Sequence, residues 1–279
     1  NPYLVKGISF NQEQEDFSEE DSAIELLDLA FTFLDRGMYS QAAENFSSAL
    51  LLQTSNLDLD YFQDFIISDS LQQKQLISAF KEIQSEDSLI TGSNFYLSLL
   101  YYEIGDTVLA KNLINDYILE NPSDYRGNQL LASYFYDEGS WFDALSSYQH
   151  VIWKNPNIVE AHFGIGNCLL KRESFSNAIV AFDKVLEIDP YHHRAYYNSG
   201  FAHISLEKYK LAISMLTKAL MLDPDNEDIY YYLGLSYHKT NNQTRALEAL
   251  NRTVKLNPEN GEAQYILGRI YEDILDVDK

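Results

Sequence analysis

Five Asn-Pro or Asp-Pro dipeptides set Pro122, Pro156, Pro190, Pro224 and Pro258 along the chain, and each proline follows the last by 34 residues. Proline lacks the N–H that a helix interior needs and pushes the residue before it out of the helical region. Each dipeptide therefore marks a helix end followed by a tight turn. A chain ruled in this way must fit its helices between consecutive stops, so an internal repeat governs whatever else it folds into.

Laying the units that begin at residues 91, 125, 159, 193 and 227 over one another shows further columns. Ser98, Ala132, Gly166, Gly200 and Gly234 fall at the eighth place, and Ala110, Ala144, Ala178, Ala212 and Ala246 fall 12 residues later. Small residues recurring like this point to close helix crossings, and Gly268 extends the eighth-place column. Large apolar residues fill the columns between, such as Leu97, Leu131, Ile165 and Leu233, and Tyr148, Phe182, Leu216 and Leu250. Their spacings of 3, 4 and 7 make one helical stripe. Each unit thus reads as an antiparallel helix pair, broken near Gly139 or its equivalents, that buries its stripe only by stacking on neighbours.

This small and large column pattern, closed by proline, resembles the tetratricopeptide repeat, with the run from Ala195 through Gly200, Ala212, Leu216, Ala219 and Pro224 following the family most closely. The resemblance implies an all-α, right-handed superhelical solenoid. Five regular units are expected over 91–260, and another at 23–56, where Leu29, Ala30, Phe33, Tyr39, Ala42, Phe46 and Ala49 occupy the columns. Residues 57–90 read as a degenerate repeat, with Asp64 and Leu76 in small-residue places, and so as a weak joint. Residues 261–279 read as a capping helix carrying Ala263, Leu267, Gly268 and Tyr271 inside and Arg269, Glu272 and Asp273 outside. Residues 1–22 read as an acidic, disordered segment led by an apolar patch of Tyr3, Leu4, Val5, Ile8 and Phe10.

The hydrophobic fraction of 46% is ample for an ordered core, and no apolar run approaches the length of a membrane span. Net charge is −22, and residues 1–124 carry 5 Lys/Arg against 22 Asp/Glu. Such a field repels phosphate backbones, so a nucleic-acid partner is not expected, whereas basic protein segments suit the N-terminal half. Cys168 is the single cysteine, which rules out an internal disulfide and is compatible with a reducing compartment; the cytoplasm is the favoured location. The chain opens at Asn1 without a Met, which fits removal of a targeting segment.

No phosphate-binding glycine loop, metal-ligand spacing or nucleophile motif is present, so neither catalysis nor a cofactor is expected. His162, His192 and His193 could meet at a repeat junction, but packing or surface roles suit them better than a metal site. His203 stands in a core column as a substitute for Tyr. Sequons at Asn45, Asn242 and Asn251 carry little weight alone.

By the resemblance, the first helix of each unit lines a concave groove through its second, fifth, ninth, twelfth and thirteenth places. These places supply Arg126 and Tyr136, then Phe163, Asn167 and Lys171, then Arg194, Tyr197 and Phe201. Tyr231, Leu235 and His238 follow, with Tyr265 and Arg269 beyond; Asn198 joins them from the sixth place. The strip Phe163, Tyr197, Tyr231 and Tyr265 is not demanded by the core columns already filled, and suits a peptide-like or helical partner segment. The family's chaperone-tail clamp matches Asn167 and Asn198 but fails at Phe163, Asp228 and Tyr232, where cations are needed. The expected function is a scaffold or adaptor; the alternative is a structural subunit of a larger assembly, such as a secretion or motility apparatus, that uses its convex face and ends.

Overall fold

The computed structural model describes residues 19–52, 70–86 and 92–277. Among these, every regular element is a helix. The chain divides into two compact units, 1–124 and 125–279. The first holds α1 (Glu19–Asp35), α2 (Tyr39–Leu51), α3 (Ser70–Glu86), α4 (Ser93–Glu103) and α5 (Thr107–Glu120). The second holds α6 (Arg126–Asp137), α7 (Trp141–Lys154), α8 (Val159–Lys171), α9 (Phe175–Ile188), α10 (His193–Ser205), α11 (Tyr209–Leu222), α12 (Glu227–Lys239), α13 (Gln243–Leu256) and α14 (Gly261–Val277).

The proline stops act as their chemistry requires. Asn121, Asn155, Asp189, Asp223 and Asn257 each cap a second helix, giving the backbone N–H to the carbonyl four residues earlier at 2.7–2.9 Å. Beyond it, the side chains of Asn155, Asp189 and Asn257 accept from the N–H two residues on, folding the chain around the proline as an Asx-turn. That accounts for the Asn or Asp before Pro156, Pro190 and Pro258.

The turn between the two helices of a repeat carries its own 34-residue period. Gly37, Gly105, Gly139, Glu173, Glu207 and Asn241 all have φ between 56° and 90°. In the Gly139 turn, Gly139 N–H reaches Tyr136 O at 3.0 Å and Ser140 N–H reaches Phe135 O at 2.8 Å. This is the Schellman arrangement, in which a left-handed residue lets two orphan carbonyls be satisfied. The next residue is at the same time the N-cap of the second helix, and Asp106 and Asn242 accept from Leu109 N and Arg245 N in that role. Glycine meets the left-handed geometry without cost, whereas Glu173 and Glu207 hold it under strain.

In the second unit, core clusters straddle repeat boundaries. Ala212, Leu216 and Ala219 of α11 pack with Ile229 and Leu233 of α12, and Ala246 and Leu250 of α13 pack with Ala263, Leu267 and Ile270 of α14. The eighth-place glycines make room for large side chains of the second helix. A Cβ on Gly166 would lie 2.4 Å from Phe182, on Gly200 2.7 Å from Leu216, and on Gly234 2.6 Å from Leu250. Gly268 differs from the sequence expectation: a Cβ there meets nothing within 4 Å. No helix follows α14 among the described residues to cross it at that point. Tyr271 is likewise 48% exposed rather than inside.

In the first unit, Phe80 of α3 stacks on Tyr96 of α4 with ring centroids 5.6 Å apart, and Phe46 of α2 meets the same ring at 5.3 Å. Of the expected degenerate repeat the described residues include α3, whose Leu76, Ala79, Phe80 and Ile83 are buried. Residues 57–69 and 87–90, with the weak joint expected there, lie outside the described residues, as do the apolar patch at 3–10 and the rest of 1–18. Helix α1 begins at Glu19, four residues ahead of the expected repeat boundary.

Candidate partner-binding face

Helices α6, α8, α10, α12 and α14 are the first helices of successive repeats, and each touches the next of the series. They stand side by side on one face of the second unit. The helical period turns the second, fifth, ninth, twelfth and thirteenth places of each toward that face.

Arg126 is 6% exposed, so it does not line the open face. Tyr136 lies half-buried, edge-on to Trp141 at 5.1 Å, and the Lys171 ammonium sits 6.0 Å over the same indole. Phe163 is held between the His192 ring, 4.8 Å away, and the Arg194 guanidinium, 5.1 Å from its centroid. A cation over a ring face is attracted by the ring quadrupole, which fixes Arg194 beside the groove. Asn198 Nδ2 donates to Asn167 Oδ1 at 2.7 Å, linking α10 to α8.

Tyr232 is the hub of the next patch. Its ring meets Tyr197 at 5.9 Å, Phe201 at 5.6 Å and Tyr231 at 5.1 Å. Tyr231 donates a hydroxyl hydrogen bond to Glu262 Oε2 at 2.6 Å, joining α12 to α14. Burial, more than any neighbouring charge, raises the pKa of the Tyr197, Tyr231 and Tyr232 phenols, so all three are neutral. Burial also raises the Asp228 carboxyl, with Glu227 adding to the shift.

The aromatic strip is therefore of two kinds. Phe163, Tyr197 and Tyr231 are half-buried and pack on the core clusters behind them, against the expectation that packing makes no demand on these places. Tyr265 stands 66% exposed.

Two clefts open between adjacent first helices. One of about 310 Å³ lies between α10 and α12, lined by His193, Arg194, Tyr197, Asn198, Asn226, Asp228 and Ile229. The other, about 190 Å³, lies between α12 and α14, lined by Leu235, His238, Lys239, Tyr265, Ile266 and Arg269. Phe163, Asn167, Lys171 and Arg194 thus form one neighbourhood, Tyr197, Asn198, Phe201 and Tyr231 the next, and Leu235, His238, Tyr265 and Arg269 the last.

Two of the three histidines considered for a metal site have structural tasks, and His193 lines the cleft between α10 and α12. His162 Nε2 bonds the Pro156 carbonyl at 2.8 Å, and His192 Nδ1 caps α10 by accepting from Ala195 N at 3.1 Å. Among the described residues no three His, Cys, Asp or Glu side chains gather in a metal-binding group. Cys168 is buried, and its thiol pKa is pushed up to about 11 by that burial. Tyr232, His193, Asn226, Ile229 and Ile266 are lining or bridging residues that place-counting misses. Tyr232 and Ile266 belong to the sixth place, whose column also holds Gly164 and Asn198, so no residue type announces it.

The tetratricopeptide repeat family matches the chain over residues 159–192 and 203–270. No curated protein sequence matches it. Among solved structures, the C-terminal part of a repeat-containing protein from Cytophaga hutchinsonii is 17% identical, with a TM-score of 0.63 over 85% of this chain and 97% of that one. YrrB, described as a repeat protein with an unusual peptide-binding site, is 16% identical, with a TM-score of 0.60 over 68% and 98%. MamA from Desulfovibrio magneticus is 20% identical, with a TM-score of 0.57 over 61% and 96%. At these identities the likeness is one of fold. Among the described residues no helix is long and apolar enough to cross a membrane.

Proposed function

We propose that this chain, a tetratricopeptide repeat protein, is a non-enzymatic scaffold whose first-helix face, from residue 159 onward, holds a peptide-like segment of a partner protein. The observation that carries this reading is the pair of clefts between α10, α12 and α14, each flanked by an aromatic ring and each within reach of charged side chains. Residue-sized recesses with convergent polar groups suit anchor side chains of an extended or helical segment. The acidity of residues 1–124 supports a basic partner for that half.

The test is to identify partners by mass spectrometry after a mild native pull-down, map the bound segment by truncation, and remeasure its affinity for Arg194→Ala with Tyr265→Ala. Both side chains are exposed, so helicity should be unchanged while affinity falls about tenfold or more, as for paired anchor residues. Undiminished affinity would sink the groove reading.

A second reading is favoured by Phe142, Trp153 and Met221, which are 70–77% exposed on second helices. Exposed aromatics on that opposite face suit a subunit that docks sideways in an assembly. Loss of the partner with Phe142→Ala and Trp153→Ala, and not with the groove pair, would favour it.

A further inference from the structure

The cleft between α12 and α14 has a charge that runs against the rest of the molecule. The chain carries −22 overall, yet the six residues lining this cleft include Lys239, Arg269 and His238 and no carboxylate. Arg269 Nε lies 4.0 Å from Glu272, which is itself 76% exposed, while Arg269 is 57% exposed. An ion pair that long and that wet leaves the guanidinium available. Its neighbour between α10 and α12 contains Asp228, so among the described residues the two clefts differ in charge.

The rest of the lining is apolar. Leu235 and Ile266 are half-buried, and the Tyr265 ring is largely uncovered. A volume of about 190 Å³ is the size of one large side chain rather than of a small-molecule ligand. His238 Nδ1 is buried without a hydrogen-bond partner. A bare acceptor is tolerated better than a bare donor in such a place, which favours the proton on Nε2 and makes the other end of the ring a donor.

We infer that this cleft selects an acidic segment of the partner: one apolar or aromatic residue seated against Leu235, Tyr265 and Ile266, flanked by Asp or Glu side chains that pair with Lys239 and Arg269. The inference rests on the reading that the first-helix face binds a partner segment. Nucleic acid is disfavoured, because the cleft offers one residue-sized apolar recess with Lys239 and Arg269 beside it rather than a row of cations along a phosphate backbone.

Two fluorescein-labelled probe peptides test it on the full chain by fluorescence anisotropy: Glu-Glu-Asp-Leu-Phe-Asp-Glu-Glu and its neutral counterpart Gln-Gln-Asn-Leu-Phe-Asn-Gln-Gln. At about 50 mM salt the acidic peptide should bind roughly tenfold more tightly, and the margin should shrink at about 300 mM as screening shortens the reach of the charges. Lys239→Glu with Arg269→Glu should weaken the acidic peptide about tenfold and leave the neutral one within about twofold. Lys239→Gln with Arg269→Gln, checked by circular dichroism, should give the same order with a smaller effect. Equal binding of the two peptides would overturn the acid preference while leaving the groove reading intact. Acidic binding that survives the charge reversal would remove this cleft as its site. Binding of neither peptide would overturn the acid preference, whereas the groove reading is decided separately by Arg194→Ala with Tyr265→Ala against the partner's own segment.

Discussion

Gly200 faces Leu216 so closely that a Cβ on the glycine would sit 2.7 Å from Leu216 Cγ and 3.5 Å from its backbone nitrogen. The helix backbone of α11 stands behind the leucine, so the clash has nowhere to relax. Gly200→Leu should therefore destabilise by about 1–3 kcal/mol through overpacking. Gly268→Ala is the matched control, since open space surrounds it and the helix gains about 0.5–1 kcal/mol of propensity. Urea denaturation of the two variants, read by circular dichroism, should move in opposite directions.

The left-handed turns give a second expectation. Glu207 holds φ 58° in the place where Gly105 and Gly139 hold 90° and 79°. Glu207→Gly should raise stability by about 0.5–1 kcal/mol, the strain relieved exceeding the chain entropy added. Gly139→Val should lower it by about 1–2 kcal/mol, because a β-branched residue is a poor occupant of that region. Thermal melts of both would check the sign at each turn.

His203 makes stability depend on pH. It is 7% exposed, and its Nδ1 has no hydrogen-bond partner. Burial is the main cause lowering its pKa, Lys208 adds to the lowering, and Asp183 opposes it. Its proton is thus bound more readily by the unfolded chain. Stability should be full above the ordinary imidazole value of about 6.5 and should fall as pH drops from there toward the lowered folded value. His192 is lowered in the same direction, first by burial. His203→Tyr should flatten part of the decline in denaturation midpoint over that window and leave the share due to His192; an unchanged slope would place its origin elsewhere.

Packing separates the tyrosines of the binding face. Tyr197→Ala should cost about 1–3 kcal/mol, since the ring is half-buried against Tyr232 and the core behind it. Tyr265→Ala should stay within about 0.5 kcal/mol, as expected for an exposed side chain. Equal costs at the two sites would mean that the aromatic column is uniform after all.

The helix pairs and their crossings were legible because backbone chemistry leaves marks in single residues. Pro156 and its equivalents announce a stop by a missing N–H, and Gly166, Gly200 and Gly234 announce a crossing by a missing Cβ. Gly268 carries the same mark without the crossing, because the mark records a column and not the helix that must lie opposite. The left-handed turn was hidden where Glu173 and Glu207 replace glycine, since glutamate advertises no such geometry. At the binding face, place-counting found which residues stand on the first helices but not how far each is covered. Arg126 is buried and Tyr232 bridges three rings, and neither follows from position within one helix. Coverage depends on side chains arriving from neighbouring repeats, which a column pattern does not encode.

The straddling core clusters have a consequence for anyone who cuts or extends this chain. A repeat is a unit of sequence, but the unit that excludes water is the seam between two repeats. Ending the protein at Leu256 would remove one helix in sequence, yet it would also uncover Ala246 and Leu250 of the repeat left behind. Grafts and truncations should accordingly be designed seam to seam, with a polar substitution on the helix that becomes last.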